Sequence, residues 1–350
     1  MSINTAQDFF IQWHLTERCN LHCTHCYQTG QSSEELSFSE ISDTLEEVAD
    51  MLAAWTADYG MSLAPSFTIT GGEPFLRQDI FAILGEISDR GFESYLLSNG
   101  TLVNAQKAGM LASLGVKGVQ ISIEGPEEVH EQIRGKGSFS SSLRGVGHLL
   151  DAGLPVTLNV TLSELNADYF PDLVALASSL GVPRLGFSRL VPAGRGEALL
   201  AKALEPEKVR RIYREIFSLN IPGLKIVTGD PVASQLVSAF DGADGGSVPT
   251  GGCAAGLSGL TLLPDGTIVP CRRLCLPLGN VRRDSLREVW ATSEVLGALR
   301  DRSRYSGKCG ACARWANCRG CRAIAFASSR ARGAADFLAE DPQCLIPFLP

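Results

Sequence analysis

Three cysteines near the start of the chain have a spacing that suits an iron–sulfur cluster. Cys19, Cys23 and Cys26 stand in the order C-x3-C-x2-C. Three thiolates can bind three irons of a 4Fe–4S cube and leave the fourth iron without a protein ligand. An iron with an open position is available to a substrate or a cofactor. Structural zinc is the alternative, with His22 or His25 as the fourth ligand.

A second group of cysteines follows residue 252, and none lies between the two groups. Cytosolic thiols stay reduced, so clustered cysteines there indicate metal binding or catalysis rather than disulfides. The chain is therefore predicted to bind metal in two regions that flank a cysteine-free scaffold. One or two zinc sites are the alternative for the second region, which contains Cys253, Cys271, Cys275, Cys309, Cys312, Cys318, Cys321 and Cys344.

The scaffold alternates short apolar or β-branched runs with helical patterns, which predicts parallel strands joined by right-handed crossovers. The predicted strands are Phe10–Leu15, Ser66–Thr70, Glu93–Leu97, Gly118–Ile123, Pro155–Val160 and Arg184–Ser188. The predicted helices are Phe38–Trp55, Asp79–Arg90, Asn104–Leu114, Phe139–Ala152 and Asp168–Leu180. Six such units form either an open doubly wound sheet or an incomplete barrel.

The chain after residue 200 does not continue the strand–helix alternation. Glu205–Leu219 is predicted to be a helix, and Asp241–Gly252 is a glycine-rich loop. Thr261–Leu263 and Thr267–Val269 flank Pro-Asp-Gly, which predicts a hairpin, and Ser285–Leu299 resembles a helix. We expect a barrel domain over 1–200, a connector over 201–250 and a cysteine-rich domain over 251–350.

Polar or glycine-rich segments follow each predicted strand. In α/β barrels the carboxyl ends of the strands carry the chemistry, so these segments are expected to meet in one pocket. This placement favours the incomplete barrel, so the predicted fold is α/β: a partial (β/α)6 barrel followed by a cysteine-rich α+β domain. The segments contain Cys19–Cys26, Gly71–Pro74, Ser98 and Asn99, Glu124, Asn159, and Arg189.

The cysteine triplet and the Gly71-Gly72-Glu73-Pro74 segment together resemble the radical S-adenosylmethionine (SAM) superfamily. The resemblance implies that SAM chelates the open iron and that the reduced cluster cleaves it to a 5′-deoxyadenosyl radical, which abstracts hydrogen from a substrate. The family usually has an aromatic residue before the third cysteine, where this chain has the flat imidazole of His25, with Tyr27 just after Cys26.

The same resemblance implies a SAM-binding set. Gly71, Gly72, Glu73 and Pro74 would hold the amino group, and Ser98 and Asn99 the ribose or methionine part. Glu124 occupies a position where relatives often have Asp, and the resemblance implies that it contacts SAM or the substrate. Arg134 would bind the SAM carboxylate through its paired N–H donors. The alternative interpretation is that Arg134 is a solvent-exposed charge on a helix.

The C-terminal cysteines resemble the SPASM extension of this superfamily, which houses two auxiliary 4Fe–4S clusters. The resemblance assigns Cys309, Cys312, Cys318 and Cys344 to one cluster. It assigns Cys253, Cys271 and Cys321 to the other, whose fourth ligand is Cys275, unless one iron stays open to substrate or water. The chain departs from the family spacing by one residue between Cys318 and Cys321.

The composition of the chain limits which partners it is expected to bind. The chain has 350 residues, 45% of them hydrophobic, and a net charge of −7, which does not favour nucleic acid. It has no signal-peptide pattern and no bilayer-spanning run, so we expect a cytoplasmic protein without membrane contact. An external electron donor such as flavodoxin or ferredoxin is expected.

Two substrate classes remain open. The protein either modifies a ribosomally made peptide, which is preferred for its breadth among SPASM proteins, or alters a tetrapyrrole side chain in heme d1 or alternative heme biosynthesis. The stretches Leu190–Gly196, Gly320–Ala323 and Ala339–Cys344 resemble the second group but occur in both. Because 18 residues precede Cys19, a peptide is expected to need a separate carrier protein or direct docking. The third hypothesis is that the protein is a non-catalytic iron–sulfur electron carrier. The sequence identifies no general acid or base.

Overall fold

The computed structural model describes residues 7–28, 34–60, 63–236 and 250–346. In these ranges ten strands form one sheet. The strands are β1 Gln7–His14, β2 Leu63–Thr70, β3 Glu93–Ser98, β4 Gly118–Ser122, β5 Val156–Leu162, β6 Arg184–Arg189, β7 Lys225–Val227, β8 Gly259–Leu262, β9 Thr267–Val269 and β10 Gly279–Asn280.

Helices cover the outside of the sheet and continue into the cysteine-rich region. They are α1 Phe38–Tyr59, α2 Ile80–Asp89, α3 Ala105–Ser113, α4 Glu127–Arg134, α5 Ser138–Asp151, α6 Phe170–Ser179, α7 Pro206–Ser218, α8 Leu286–Thr292, α9 Glu294–Arg300, α10 Gly307–Ala311 and α11 Arg322–Ala331. None of the helices within the described ranges combines the length and the apolar composition needed to cross a bilayer.

The sheet order is β10-β9-β8-β1-β2-β3-β4-β5-β6-β7, and β1 to β7 are all parallel. The predicted partial barrel is confirmed. The hairpin β8–β9 is present too, but β8 pairs in parallel with β1, so the region after residue 250 continues the barrel sheet. The domain boundaries proposed from sequence stay a prediction.

Local chemistry explains why these elements form. Ser37 caps α1 through a capping box with Glu40, which satisfies free N–H groups at the helix start. Ile41, Leu45 and Val48 then recur at helical spacing and are fully buried against the sheet. Burying each such side chain stabilises the fold by about 1.5–3 kcal/mol.

Two details differ from the sequence interpretation. The predicted helix Ser285–Leu299 is two helices, because extended Ser293 (ψ 121°) ends α8 and caps α9 through a hydrogen bond from Leu296 N. The strands β7 and β10 and the helices α4, α10 and α11 were not predicted. β7 has three residues, too few to show a period. The predicted loop Asp241–Gly252 lies outside the described residues, apart from its last three positions.

Candidate functional site

The three N-terminal cysteines lie in the loop after β1, where the structure places them around one cavity. Cys19, Cys23 and Cys26 line it together with residues from the carboxyl ends of the next strands. Burial raises the pKa of Cys19 to about 11 and also raises that of Cys23. Thiols in such a site need a strong cationic partner to ionise, and a metal provides one. All eleven cysteines are free thiols.

Two glycines let the end of β2 press against this loop. A Cβ on Gly71 would lie 2.5 Å from Thr16 O, and one on Gly72 would lie 2.2 Å from Arg18 O. The close approach allows Gly72 N to donate to Thr16 O at 2.7 Å, and Glu73 N to Arg18 O at 2.8 Å. The glycines therefore fix the position of the segment that leads into Cys19.

Glu73 lies behind the cavity wall and ties β2 to β3. Its carboxylate accepts hydrogen bonds from Ser98 Oγ and Asn99 N, both at 2.9 Å. The residue is fully buried, and burial raises the pKa of this carboxyl to about 7. Ser98 and Asn99 line the cavity, whereas Glu73 and Pro74 do not. A direct contact of Glu73 with SAM stays a prediction, and the described contacts make it a support for its neighbours.

Arg134, Glu124 and His25 form a buried polar group beside the cysteines. Arg134 Nε and Nη2 donate to Glu124 Oε1 at 2.9 and 2.5 Å, and His25 Nε2 lies 3.4 Å from the same oxygen. Burial alone raises the pKa of Glu124, but Arg134 and His25 outweigh it and hold that pKa below its usual range. The Arg134 side chain is 11% exposed and its Nη1 lies 3.7 Å from Cys23 Sγ. The alternative of a solvated charge is therefore wrong.

A second cavity brings together four C-terminal cysteines: Cys309, Cys312, Cys318 and Cys344 all line it. These are the four that the sequence assigned to one auxiliary cluster. Gln235 Nε2 lies 3.2 Å from Cys318 Sγ and 3.7 Å from Cys344 Sγ. Sequence reasoning missed Gln235, because it lies far from every cysteine along the chain and outside any motif.

The remaining cysteines are arranged less completely. Cys321 and Cys271 contribute to one small apolar cluster, and Cys253 N donates to Cys318 O at 3.1 Å. Cys275 is exposed and lines a separate groove that Cys321 does not reach. Cys275 and Cys321 thus line different cavities, and ligation by Cys275 stays a prediction.

No group of three His, Cys, Asp or Glu side chains within the described ranges is arranged to hold a single metal ion. A cubane cluster does not require such convergence, because each of its thiolates binds a different iron. The two cavities lined by three and by four cysteines supply the soft donors that iron–sulfur clusters take.

Arg189 is not a free polar group at the barrel mouth. Its buried guanidinium donates to Asp230 Oδ2 at 2.6 Å and to Asp341 Oδ2 at 2.8 Å. Asp341 Oδ2 also accepts from Cys321 N at 2.8 Å. Arg189 thus links β6, the connector and the cysteine-rich region. Asn159, by contrast, lines the cavity beside the N-terminal cysteines.

A partial barrel whose strand ends surround three thiols, and whose sheet continues into a second cysteine-rich region, defines a class of iron–sulfur enzymes. Residues 13–177 match the radical SAM superfamily, and residues 253–322 match the SPASM iron–sulfur cluster-binding domain. The chain belongs to the radical SAM superfamily and carries a SPASM domain. Its cofactors are a 4Fe–4S cluster, auxiliary clusters and SAM.

The proteins similar to this chain include heme synthases and mycofactocin maturases. The AdoMet-dependent heme synthase of Nitratidesulfovibrio vulgaris is 30% identical, over 95% of this chain and 91% of its own length. The mycofactocin maturase MftC of Mycolicibacterium smegmatis is 29% identical, over 90% of this chain and 78% of its own. The crystal structure of Streptococcus suis SuiB bound to S-adenosylmethionine shares the fold, with a TM-score of 0.74 and 16% identity, over 97% of this chain and 78% of that one. These relatives are enzymes, so the electron-carrier hypothesis is not supported.

Proposed function

We propose that the cavity after β1 is the radical-generating site of this enzyme, with Cys19, Cys23 and Cys26 as the cluster ligands. One observation carries the proposal: these thiols line a single cavity together with Gly72, Asn99 and other residues at successive strand ends. When bound, a reduced cluster supplies the electron that cleaves SAM to methionine and a 5′-deoxyadenosyl radical.

The residues around the cavity would position SAM. The Gly71-Gly72 backbone leaves room close to the cysteine loop, and the Ser98-Asn99 segment is held by Glu73. Arg134 is oriented by Glu124, which fixes its planar donors near Cys23 for a carboxylate such as that of SAM. His25, also held by Glu124, offers its ring on the same wall.

The auxiliary clusters would accept an electron from the substrate. Cys321 lines an inner cavity of the barrel, and that cavity shares Asn159 and Ser188 with the cavity of the N-terminal cysteines. A substrate radical formed between them would thus lie near a ligand of an auxiliary cluster. Loss of one electron and one proton from such a radical gives an oxidised, closed-shell product.

A ribosomally made peptide is the substrate class we propose first. The similarity to the mycofactocin maturase supports it. A groove lined by Pro192, Leu200 and Phe326 also supports it, because the groove shares Tyr27 with the barrel cavity and would offer an extended chain a binding surface beside that cavity. A separate carrier protein would present the peptide, and flavodoxin or ferredoxin would deliver the electron.

Tetrapyrrole side-chain modification is the second candidate. The observation that favours it is the 30% identity to an AdoMet-dependent heme synthase over nearly the whole of both chains. Both candidates use the same radical site, so they differ in the substrate alone.

The proposal is tested with anaerobically reconstituted protein reduced by dithionite. We expect the wild-type protein to convert SAM to 5′-deoxyadenosine, measured by chromatography, and the combined Cys19→Ala, Cys23→Ala and Cys26→Ala variant to form none. SAM cleavage that persists in this variant would refute the site. Deuterium transfer from a labelled substrate into 5′-deoxyadenosine then separates a peptide from a tetrapyrrole such as iron coproporphyrin III.

A further inference from the structure

Four arginines line the barrel cavity, and no aspartate or glutamate lines it among the described residues. Arg134 is neutralised by Glu124. Arg195 donates through Nε to Cys23 O at 3.3 Å, on the side of the N-terminal cysteines. The other two, Arg272 and Arg273, lie between Cys271 and Cys275 in the chain, after β9.

Arg272 and Arg273 have no ion-pair partner within 4 Å in the described part of the chain, and their guanidinium groups donate no hydrogen bond there. The Nε atom of Arg273 is buried without any hydrogen-bond partner. The guanidinium of Arg272 lies over the Tyr27 ring, 5.4 Å from its centroid. A half-buried guanidinium whose N–H donors reach no acceptor is costly, since those donors lose water without replacement.

Both arginines line two adjoining cavities, the one at the N-terminal cysteines and the inner one that Cys321 reaches. Asp230 also lines the inner cavity, but its two oxygens accept from Arg189 and Tyr213. The inner cavity thus has polar walls and two cationic groups without a carboxylate of their own. Paired guanidinium groups bind carboxylates through parallel N–H donors.

We propose that Arg272 and Arg273 form a carboxylate-binding subsite that holds the substrate between the radical-generating cavity and the auxiliary cluster. The inference rests on the proposed function and gives its substrate a chemistry: at least one carboxylate close to the carbon that loses hydrogen. A propionate of a tetrapyrrole and an acidic side chain of a peptide both supply it. A carboxylate bound by Arg272 and Arg273 would fix one end of the substrate while the radical abstracts a hydrogen atom from it.

The test uses the anaerobically reconstituted holoenzyme with SAM and two matched pairs of probes. One pair is coproporphyrin III and its tetramethyl ester, and the other is a hexapeptide with two glutamates and its glutamine counterpart. Calorimetry measures the affinity of each probe. The variants are Arg272→Gln with Arg273→Gln, the corresponding double lysine variant, and Arg283→Gln as a control on an exposed arginine paired with its neighbour Asp284.

We expect the wild-type protein to bind the carboxylate member of one pair at least about tenfold more tightly than the neutral member, as one charge-assisted contact provides. The double glutamine variant loses this preference, the double lysine variant retains part of it, and Arg283→Gln retains all of it. The pair that shows the preference identifies the source of the carboxylate.

Two results would overturn the subsite. One is a wild-type protein that does not distinguish either pair. The other is a double glutamine variant that keeps the preference, and a shifted midpoint potential of an auxiliary cluster in an EPR-monitored titration of that variant would assign the arginines to the cluster. SAM cleavage by the wild-type protein is measured without any probe, so failure of the subsite and failure of the proposed function are separate results.

Discussion

The two cysteine regions differ in how they present sulfur. The N-terminal region has three thiols on an open cavity that glycines and polar side chains of five strand ends also line. The C-terminal cavity has four thiols, with Gln235 against two of them. An iron site closed by four protein ligands suits electron transfer, whereas a site with three ligands leaves an iron for chemistry. We therefore expect the N-terminal site to bind SAM and the C-terminal site to transfer electrons.

The largest effect is expected when the three thiols of the N-terminal site are removed. The combined alanine variant of Cys19, Cys23 and Cys26 should lose one cluster of three, a drop from about 12 to about 8 irons per chain by ligand count. All SAM cleavage should be lost with it. Iron analysis and 5′-deoxyadenosine assays measure both. A variant that keeps about 12 irons would break the assignment of the three thiols.

The next effect concerns the link between the two regions. Arg189→Ala leaves Asp230 and Asp341 buried without their shared cation. Breaking a buried ion pair costs about 3–5 kcal/mol in the free energy of unfolding. Chemical denaturation measures the loss. The control is Arg287→Ala, whose exposed pair with Asp58 should contribute less than about 1 kcal/mol. Equal losses in the two variants would show that the link is not structural.

A smaller effect sharpens the account of the open site. Glu124→Gln removes the charge that orients Arg134 but keeps the size of the side chain. We expect SAM to bind about tenfold more weakly, since a misaligned guanidinium loses one charge-assisted hydrogen bond. Equilibrium dialysis with SAM measures it. The exposed Glu215→Gln serves as control, and unchanged affinity in Glu124→Gln would remove Arg134 from the SAM site.

The smallest effect tests the closed site. Gln235→Ala removes an N–H group that lies 3.2 Å from Cys318 Sγ. Hydrogen bonds to cluster sulfur favour the more negative, reduced state, so their loss lowers the midpoint potential. The expected shift is roughly −50 mV, which corresponds to one hydrogen bond in a one-electron couple. An EPR-monitored titration measures it. A potential within error of wild type would place Gln235 outside the influence of the cluster.

Much of the fold and of the open site followed from sequence, because both rest on local patterns. The six predicted strands of the barrel are short segments rich in apolar or β-branched residues, and the residues of the site immediately follow them. The roles of Gln235 and of Arg189 did not follow, since each depends on contacts more than 40 residues away along the chain. The burial of Arg134 was not decidable either, because a helix-end arginine looks the same whether it is solvated or paired.

The assignment of Cys275 as a cluster ligand shows a second limit of prediction from sequence. Its position in the chain made it the natural replacement for a missing ligand. The structure places its Sγ 3.3 Å from Arg272 O, in a groove that Cys321 does not line, and the assignment stays a prediction. Spacing identifies which cysteines bind metal as a group, but not which one completes a given cluster.

The central claim is that SAM binds the N-terminal cluster alone. The most direct measurement is the EPR spectrum of the reduced protein with and without SAM, in the variant without Cys19, Cys23 and Cys26 and in a variant with Cys309, Cys312, Cys318 and Cys344 changed to alanine. We predict that SAM shifts the g values in the second variant and leaves the first unchanged. A SAM-dependent shift in the variant without the N-terminal thiols would contradict the account.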